Sequence, residues 1–149
     1  MFQAYGAEEG GLIGSRYYCE HPVVPMTNVT AMVDFDMVGR LRDDDLRLVG
    51  LWTSGEGDDV LARYNRLPLS LVDDRNCEGC SDYSCFRYSQ RPVVWFFTGL
   101  HPQYHGPEDD VELINGPGMV TVGDIVVPTL VHLAVRSRPL AFGTIRPQP

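Results

Sequence analysis

The residues of this 149-residue chain best suited to chemistry are acids and a histidine that follow predicted β-strands. Glu8 and Glu9 form an adjacent pair in a glycine-rich segment, after a short apolar stretch. Asp36 ends a β-rich segment, and His105 follows the most apolar run of the chain. Metal-dependent hydrolases need carboxylate and imidazole ligands, and a general base that deprotonates a bound water. We therefore interpret these residues as candidate parts of one hydrolytic metal site.

Each candidate also has a simpler interpretation. An acidic pair is typical of a helix N-terminus, where the helix dipole favours negative charge. Asp36 could emerge into a solvated loop, and His105 could be a surface histidine. The neighbours of His105 favour chemistry, since Asp109 could hold its second nitrogen and the Tyr104 hydroxyl could bind a developing oxyanion. The residues taken singly leave both interpretations open.

Alternating strands and helices must position these side chains. Apolar and β-branched runs predict strands at 1–5, 29–36, 46–52, 69–72 and 92–97, and helices at 9–19, 57–67 and 117–135, with Pro128 as a kink or break in the last. This order predicts an α/β sandwich of three layers around a mostly parallel, mixed sheet, in one domain over 1–149. Functional residues gather at the carboxyl ends of such strands. We therefore expect Glu9, Asp36 and His105 to share one cleft.

Composition excludes several classes of function. The formal net charge of -8 disfavours nucleic acid, because phosphate binding needs a basic surface, and it suits metal ions or amine substrates. The sequence has no run of 18 apolar residues, so we expect no membrane span. The first residues lack the basic and apolar regions of a signal peptide, and the sequence predicts no particular compartment.

Three of the four cysteines, Cys77, Cys80 and Cys85, lie within nine residues. A closed structural zinc site usually needs two separated cysteine or histidine pairs, and Cys19 stands alone in the sequence. A local disulfide or free thiols are therefore favoured over structural zinc.

Four sequence blocks occur in an order that indicates a family. They are Ala-Glu-Glu-Gly-Gly-Leu-Ile-Gly-Ser at 7–15, Asp-Met-Val-Gly-Arg at 36–40, Ser81-Asp82 with Phe86, and Thr-Gly-Leu-His-Pro-Gln-Tyr-His at 98–105 with Asp109. From about residue 2 to residue 120 the chain resembles the co-catalytic di-zinc aminopeptidases, the bacterial leucyl-type group. Glutamate carboxypeptidases, glutaminyl cyclases and the transferrin receptor ectodomain are more distant members of the same fold.

The resemblance implies a role for each candidate. Glu8 would be the general base that deprotonates a zinc-bound water. Glu9 and His105 would bind one zinc ion, and Asp36 would bind the other. Tyr104 would stabilise the oxygen of the scissile carbonyl. Removal of N-terminal residues from peptides would be the reaction.

Two further acids would support the site by the same resemblance. Asp109 would orient His105, and Asp82 belongs to the family's Ser-Asp-His block. That block reads Ser-Asp-Tyr in this chain, with Tyr83 in the place of the histidine. The position is not a metal ligand in the family, so the change affects fine positioning more than metal binding.

The larger departure is the absence of the family's His-x-Asp motif upstream of the paired glutamates. Only seven residues precede Glu8, and none of them is His or Asp. Catalytic zinc usually has three protein ligands and a water. Glu9 with His105, and Asp36 by itself, complete neither site. We therefore expect the C-terminal portion of a zinc-exopeptidase fold, which holds at most one zinc ion weakly.

Three functions remain open at this stage. The first is a zinc-dependent aminopeptidase-type hydrolase whose missing ligands come from an upstream segment or a second chain. The second is a non-enzymatic interaction module that keeps the fold. The third is an acyltransferase similar to glutaminyl cyclase, with a single zinc. If the N-terminal strands of the fold are absent, an exposed sheet edge would pair with the missing half or with another copy.

Overall fold

The computed structural model describes residues 1–65, 67, 69–72 and 79–143, which form four strands and four α-helices. Their bounds are α1 Ile13–Glu20, β1 Met32–Phe35, β2 Leu46–Val49, α2 Gly57–Ala62, β3 Leu69–Val72, α3 Ser84–Tyr88, β4 Val93–Phe97 and α4 Gly116–Ala134. Short 3-10 turns precede β1, α2 and α4.

The four strands form one mixed sheet in the order β1-β4-β2-β3. β1 runs parallel to β4, and β2 runs parallel to β3, while β2 and β4 are antiparallel. The carboxyl ends of β1 and β4 therefore lie at the same edge of the sheet, whereas β2 and β3 end at the opposite edge. The predicted α/β fold with a mostly parallel mixed sheet is confirmed.

The central strand β4 explains the three layers, because all five of its side chains are buried. Side chains alternate between the faces of a strand. Val94 and Phe96 join a cluster that includes residues of α4 on one face. Trp95 and Phe97 join a second cluster that contains Phe86 of α3 on the other face. The continuous apolar run at 92–97 is thus covered from both sides, as a buried central strand requires.

Helix α4 covers one face of the sheet and also fixes the loop after β1. Its N-cap Asn115 accepts a hydrogen bond from the Gly118 N–H, and the Asn115 N–H donates to the Gly39 carbonyl at 2.8 Å. The helix continues past Pro128, and its buried residues face the sheet. By length and composition α4 could also span a membrane, a property that core helices of soluble proteins share. The buried residues of α4 pack on the sheet, whereas Val120, Val127 and Val131 on its other face are exposed.

Some of the predicted elements are wrong. Residues 1–5 form no strand, and Phe2 is almost fully exposed. The helix expected at 9–19 begins only at Ile13, because the carbonyl of Glu8 accepts from the N–H groups of Gly11 and Leu12 in a turn. The strand expected at 46–52 ends at Val49, since Gly50 has φ 86° and a side chain there would meet Val93.

A disulfide joins Cys19 at the end of α1 to Cys85 in α3, across a sequence separation of 66 residues. The expectation that Cys19 stands alone and that Cys85 pairs locally or stays free is therefore wrong. Cys80 is also disulfide-bonded, and Cys77 lies outside the described residues. The bond between Cys19 and Cys85 holds α1, which follows the paired glutamates, against the helix layer beside β4.

We predict that replacing both Cys19 and Cys85 by alanine lowers the free energy of unfolding by about 2–4 kcal/mol, because the open chain gains conformational entropy when it unfolds. Urea denaturation of the two proteins measures the difference. Replacing Ser89 by alanine, at a position near the end of α3, serves as the control and should change the value by less than about 0.5 kcal/mol. Equal midpoints for the parent protein and the double variant would contradict a stabilising role for the bond.

Candidate metal centre

Three loops meet at the edge where β1 and β4 end. The first contains the glutamate pair before α1, the second follows β1, and the third follows β4. Each loop contains a residue in the left-handed region: Ala7 has φ 55°, Met37 has φ 56° and His105 has φ 56°. Such a conformation costs a non-glycine residue about 1–3 kcal/mol and is concentrated at functional sites. Three of the seven non-glycine residues with positive φ in the described part of the chain thus lie in these loops.

Glu9 and His105 are in direct contact. His105 Nε2 lies 2.8 Å from Glu9 Oε1, although 96 residues separate them in the sequence. Both side chains are largely exposed, at 72% for Glu9 and 52% for His105, and solvent can reach the pair. The two residues that the sequence assigns to one zinc ion are thus brought together. Carboxylate and imidazole are ordinary zinc ligands.

Asp36 follows β1 and is held by its surroundings. Its backbone carbonyl accepts a hydrogen bond from Trp95 Nε1 at 3.1 Å. Its Oδ2 lies 2.9 Å from the hydroxyl oxygen of Ser81, which lies equally close to Oδ2 of Asp34. Burial raises the pKa of Asp36, and the carboxylates of Asp82 and Glu9 act in the same direction against the hydrogen bond from Ser81. An acid in such a position is stabilised by a bound cation.

Asp34 belongs to the site although the sequence did not single it out. It is 9% exposed, and its pKa is raised to about 6, chiefly by burial. The charges of Asp36 and Asp82 contribute to the raised pKa, and the hydrogen bond from Ser81 opposes it. The single proton of the Ser81 hydroxyl can serve only one of its two acid neighbours at a time. The other contact is favourable only when an acid carries a proton, which agrees with the raised pKa. The shared strand face of Asp34 and Asp36 was the available signal.

Glu8 lies within electrostatic range of the other charged residues of this edge. Burial raises its pKa, and the negative charges of Glu9, Asp36 and Asp82 raise it further, while His105 lowers it. A general base is most effective when its pKa lies near the working pH. The direction of the shift therefore suits the role assigned to Glu8, and its causes place four acids and a histidine within mutual electrostatic range.

Tyr104 stacks on His105 with ring centroids 3.8 Å apart. Burial raises the pKa of Tyr104, and the nearby charges of Glu9, Asp36 and Glu8 add to the shift. The phenol therefore keeps its proton at neutral pH and can donate a hydrogen bond to a substrate oxygen. The residue is 41% exposed, so a ligand can reach part of it.

Asp109 and Asp82, the two acids expected to support the site, have different surroundings in the structure. Asp109 does not contact His105 as expected: its Oδ1 accepts from Arg40 at 2.8 Å, and its Oδ2 lies 3.5 Å from His101 Nε2. Asp82 has one buried oxygen without a hydrogen-bond partner in the described part of the chain. Its charge acts on both Glu8 and Asp36. Spacing in the sequence could not show that Arg40 reaches Asp109.

The carboxylate and imidazole groups at this edge are of the types that bind zinc, but too few of them converge on one point to complete a zinc site. Within residues 1–65, 67, 69–72 and 79–143, no three side chains of His, Cys, Asp or Glu are arranged to hold a metal ion. Glu9 and His105 would hold one ion, and Asp36 with its acidic neighbours would contribute to a second. Borderline cations such as Zn²⁺ favour these oxygen and nitrogen donors.

We predict that the metal-free chain becomes less stable as the pH rises through 6. The pKa of Asp34 is about 6 in the folded chain against 3.8 in the ordinary carboxyl, so its contribution to stability is present below pH 3.8 and is lost above 6. The loss amounts to at most about 3 kcal/mol. Urea denaturation in EDTA between pH 4.5 and 8 measures it. Asp34→Asn should flatten this dependence, whereas Asp124→Asn on the exposed face of α4 should leave it intact. An unchanged slope in Asp34→Asn would refute the assignment.

Comparisons of sequence and fold identify known proteins to which the chain is similar. The chain is 23% identical over 147 residues to a probable leucine aminopeptidase of Arthroderma otae, a match that covers 91% of the chain and 39% of that protein. The crystal structure of BSAP, a zinc aminopeptidase from Bacillus subtilis, matches with a TM-score of 0.70 and 26% identity, over 91% of the chain and 35% of that protein. A glutaminyl cyclase of Porphyromonas gingivalis matches with a TM-score of 0.61 and 17% identity, over 88% of the chain and 50% of that protein, which shows a shared fold.

The chain spans well under half the length of the two aminopeptidases. A family model, that of Peptidase family M28, matches residues 1–130 and so includes all three loops of the site. The chain belongs to peptidase family M28.

Proposed function

We propose that this chain is the C-terminal part of a zinc aminopeptidase-type catalytic domain, which removes N-terminal residues from peptides. The observation that carries the proposal is the contact of 2.8 Å between Glu9 and His105, beside Glu8 and Asp36 at one sheet edge. Ligand types for zinc and a carboxylate with a raised pKa occur together there, as metal-assisted amide hydrolysis requires. The names of the relatives support the same reaction class.

Different residues of this chain would have different roles in amide hydrolysis. Zinc, when bound, makes its water more acidic and polarises the substrate carbonyl. Glu8 would accept a proton from the attacking water and return it to the departing amine nitrogen. Tyr104 would donate a hydrogen bond to the carbonyl oxygen as negative charge develops on it. Glu9, His105 and Asp36 would hold the metal.

The acidic character of the edge favours a substrate with a positive end. Glu8, Glu9, Asp36 and Asp82 concentrate negative charge where the three loops meet, and the whole chain has a formal charge of -8. Such a field attracts cations and repels carboxylates. A peptide would therefore approach with its N-terminal ammonium group first, in agreement with an aminopeptidase.

The proposed site is completed from outside the chain along β1. This strand lies at the edge of the described sheet, and a groove of about 890 Å³ runs beside it. Side chains from both helix layers line the groove, among them Tyr18 and Phe86 on one side and Leu130 and Leu133 on the other. A cleft of this shape fits an added strand, because a sheet edge offers unpaired backbone groups and the walls offer apolar contact. We propose that an upstream part of the catalytic domain occupies it and supplies further metal ligands.

A non-enzymatic interaction module is the second candidate. It is favoured by the finding that no three side chains in the described residues are arranged to hold a metal. In that case the groove beside β1 would serve association alone. The glutaminyl cyclase interpretation rests on likeness of fold and has no separate support in the site.

We predict that the purified chain binds less than one zinc ion per molecule, and that binding rises when an upstream half of a family M28 aminopeptidase is added. Two ligands in contact hold zinc more weakly than three or four. Metal analysis after dialysis measures the stoichiometry, and size-exclusion chromatography reports whether the halves associate. Two tightly bound ions in the chain alone would show the ligand count to be wrong.

We predict that two substitutions in the zinc-loaded, completed protein both lower activity but differ in their effect on zinc binding. Glu8→Ala should lower hydrolysis of a chromogenic aminoacyl amide by about 10²–10⁴-fold while zinc remains bound, because it removes only the base. His105→Ala should lose both zinc and activity. His21→Ala is the matched control, since His21 lies at the end of α1 and stacks on Tyr17. Equal loss of zinc from Glu8→Ala and His105→Ala would contradict the assigned roles, and zinc without turnover in the unsubstituted protein would favour the interaction module.

A further inference from the structure

Arg40 connects two of the three loops of the site. It lies four residues after Asp36, and its side chain is 15% exposed. Its Nη1 donates to Asp109 Oδ1 at 2.8 Å, and its Nη2 donates to Gln103 Oε1 at 2.9 Å. Both acceptors belong to the loop after β4, more than 60 residues away in the sequence. The guanidinium group thus makes two directed hydrogen bonds across the gap between the loops.

The two acceptors flank the residues that matter for chemistry. Gln103 immediately precedes Tyr104, and Asp109 lies four residues after His105. The turn between them is closed by the Gly106 N–H, which donates to the Gln103 carbonyl at 2.8 Å. Arg40 therefore fixes both ends of a short turn with Tyr104 and His105 in its middle.

The conformation of His105 depends on such contacts from neighbouring residues. Its backbone is in the left-handed region, and its side chain is 52% exposed, so burial does little to hold it in place. Asp109 is itself braced by His101, whose side chain is 3% exposed and whose Nε2 lies 3.5 Å from Asp109 Oδ2. The chain of contacts runs from the buried His101 through Asp109 to Arg40 and the loop after β1.

We propose that Arg40 is a positioning residue, which holds the turn at 103–109 so that His105 meets Glu9 and Tyr104 faces the substrate. The planar guanidinium group suits the task, because its donors are fixed relative to one another and can serve two acceptors at once. A lysine ammonium group keeps the charge without that geometry. The consequence for zinc rests on the proposed function, in which His105 is a ligand, whereas the consequence for the turn does not.

Arg40→Lys in the full chain tests the proposal. Amide hydrogen exchange across 98–110, followed by mass spectrometry, should become at least about tenfold faster, while exchange in α1 stays unchanged. The nuclear Overhauser contacts between the rings of Tyr104 and His105 should weaken. Zinc affinity, measured by competition with a chromophoric chelator, should fall by about 10–100-fold, the usual effect of losing a group that orients a metal ligand.

Arg136→Lys is the matched control. Arg136 donates to Glu56 at 2.6 Å, and the two side chains are 21% and 46% exposed, close to the 15% and 40% of Arg40 and Asp109. This pair lies at the far end of α4. The control should lower the melting temperature about as much as Arg40→Lys does, yet leave the 98–110 exchange and the zinc affinity unchanged. Equal changes in both variants would overturn the proposal.

A double variant separates positioning from general stability. Asp109→Asn should speed exchange at 98–110 as Arg40→Lys does, and combining the two should add little, because both remove the same contact. Fully additive effects would overturn the proposal. If the unsubstituted chain, completed by an upstream half, binds no zinc, the proposed function fails while the exchange result still decides the role of Arg40. If the chain binds zinc and Arg40→Lys exchanges like the parent, the positioning role fails by itself.

Discussion

The parallel pairing of β1 with β4 is the constraint on which the site depends. The register sets Asp34 opposite Trp95 and Phe35 opposite Phe96, so both strands end at the same level. The loop that begins at Asp36 and the loop that leads to His105 therefore start side by side. Backbone contacts extend this alignment beyond the strands, since the Thr98 N–H donates to the Met37 carbonyl at 3.2 Å. If β1 ran in the opposite direction, Asp36 would lie at the far edge of the sheet.

Electrostatic repulsion opposes what the strand pairing brings together. Burial and neighbouring carboxylates raise the pKa values of Glu8, Asp34 and Asp36 alike. The chain thus keeps an acid cluster that is unfavourable when it is fully ionised and has no cation. The left-handed backbones of Ala7, Met37 and His105 add further cost at the same edge. A fold selected for stability alone would not combine these features, and a bound cation would compensate for the repulsion.

Much of the sheet could be predicted from the sequence, because its strongest signal is local. The apolar run at 92–97 indicates a strand covered on both faces, and β4 fulfils that prediction. His105 follows β4, in agreement with the general placement of functional residues at strand ends, whereas its partner Glu9 lies in a loop that no described strand precedes. Prediction from the sequence was wrong where residues far apart in the chain determine a contact. Asp109 stands four positions from His105, yet an arginine 69 residues away binds it.

The wrong prediction for residues 1–5 has a related cause. Their composition suits a strand, but a strand forms only where another strand offers its backbone groups, and composition cannot reveal whether that neighbour is present. In the structure Met1, Phe2 and Tyr5 lie along the groove beside β1. The disulfide between Cys19 and Cys85 could not be predicted for a similar reason, since only the packing of α1 against α3 brings the two residues within bonding distance.

Under the proposed function, one added segment would account for both the open groove beside β1 and the incomplete ligand set of the described residues. Asp34 and Asp36 line the same groove as the apolar side chains of both helix layers, so the unpaired edge of β1 leads directly to the acid cluster. A strand added parallel to β1 would end beside Asp36, because parallel strands share their carboxyl edge. It would cover the exposed backbone and bring its own C-terminal loop to the metal. Under the proposed function, folding and metal binding would be coupled, because the segment that completes the sheet would also be placed to complete the site.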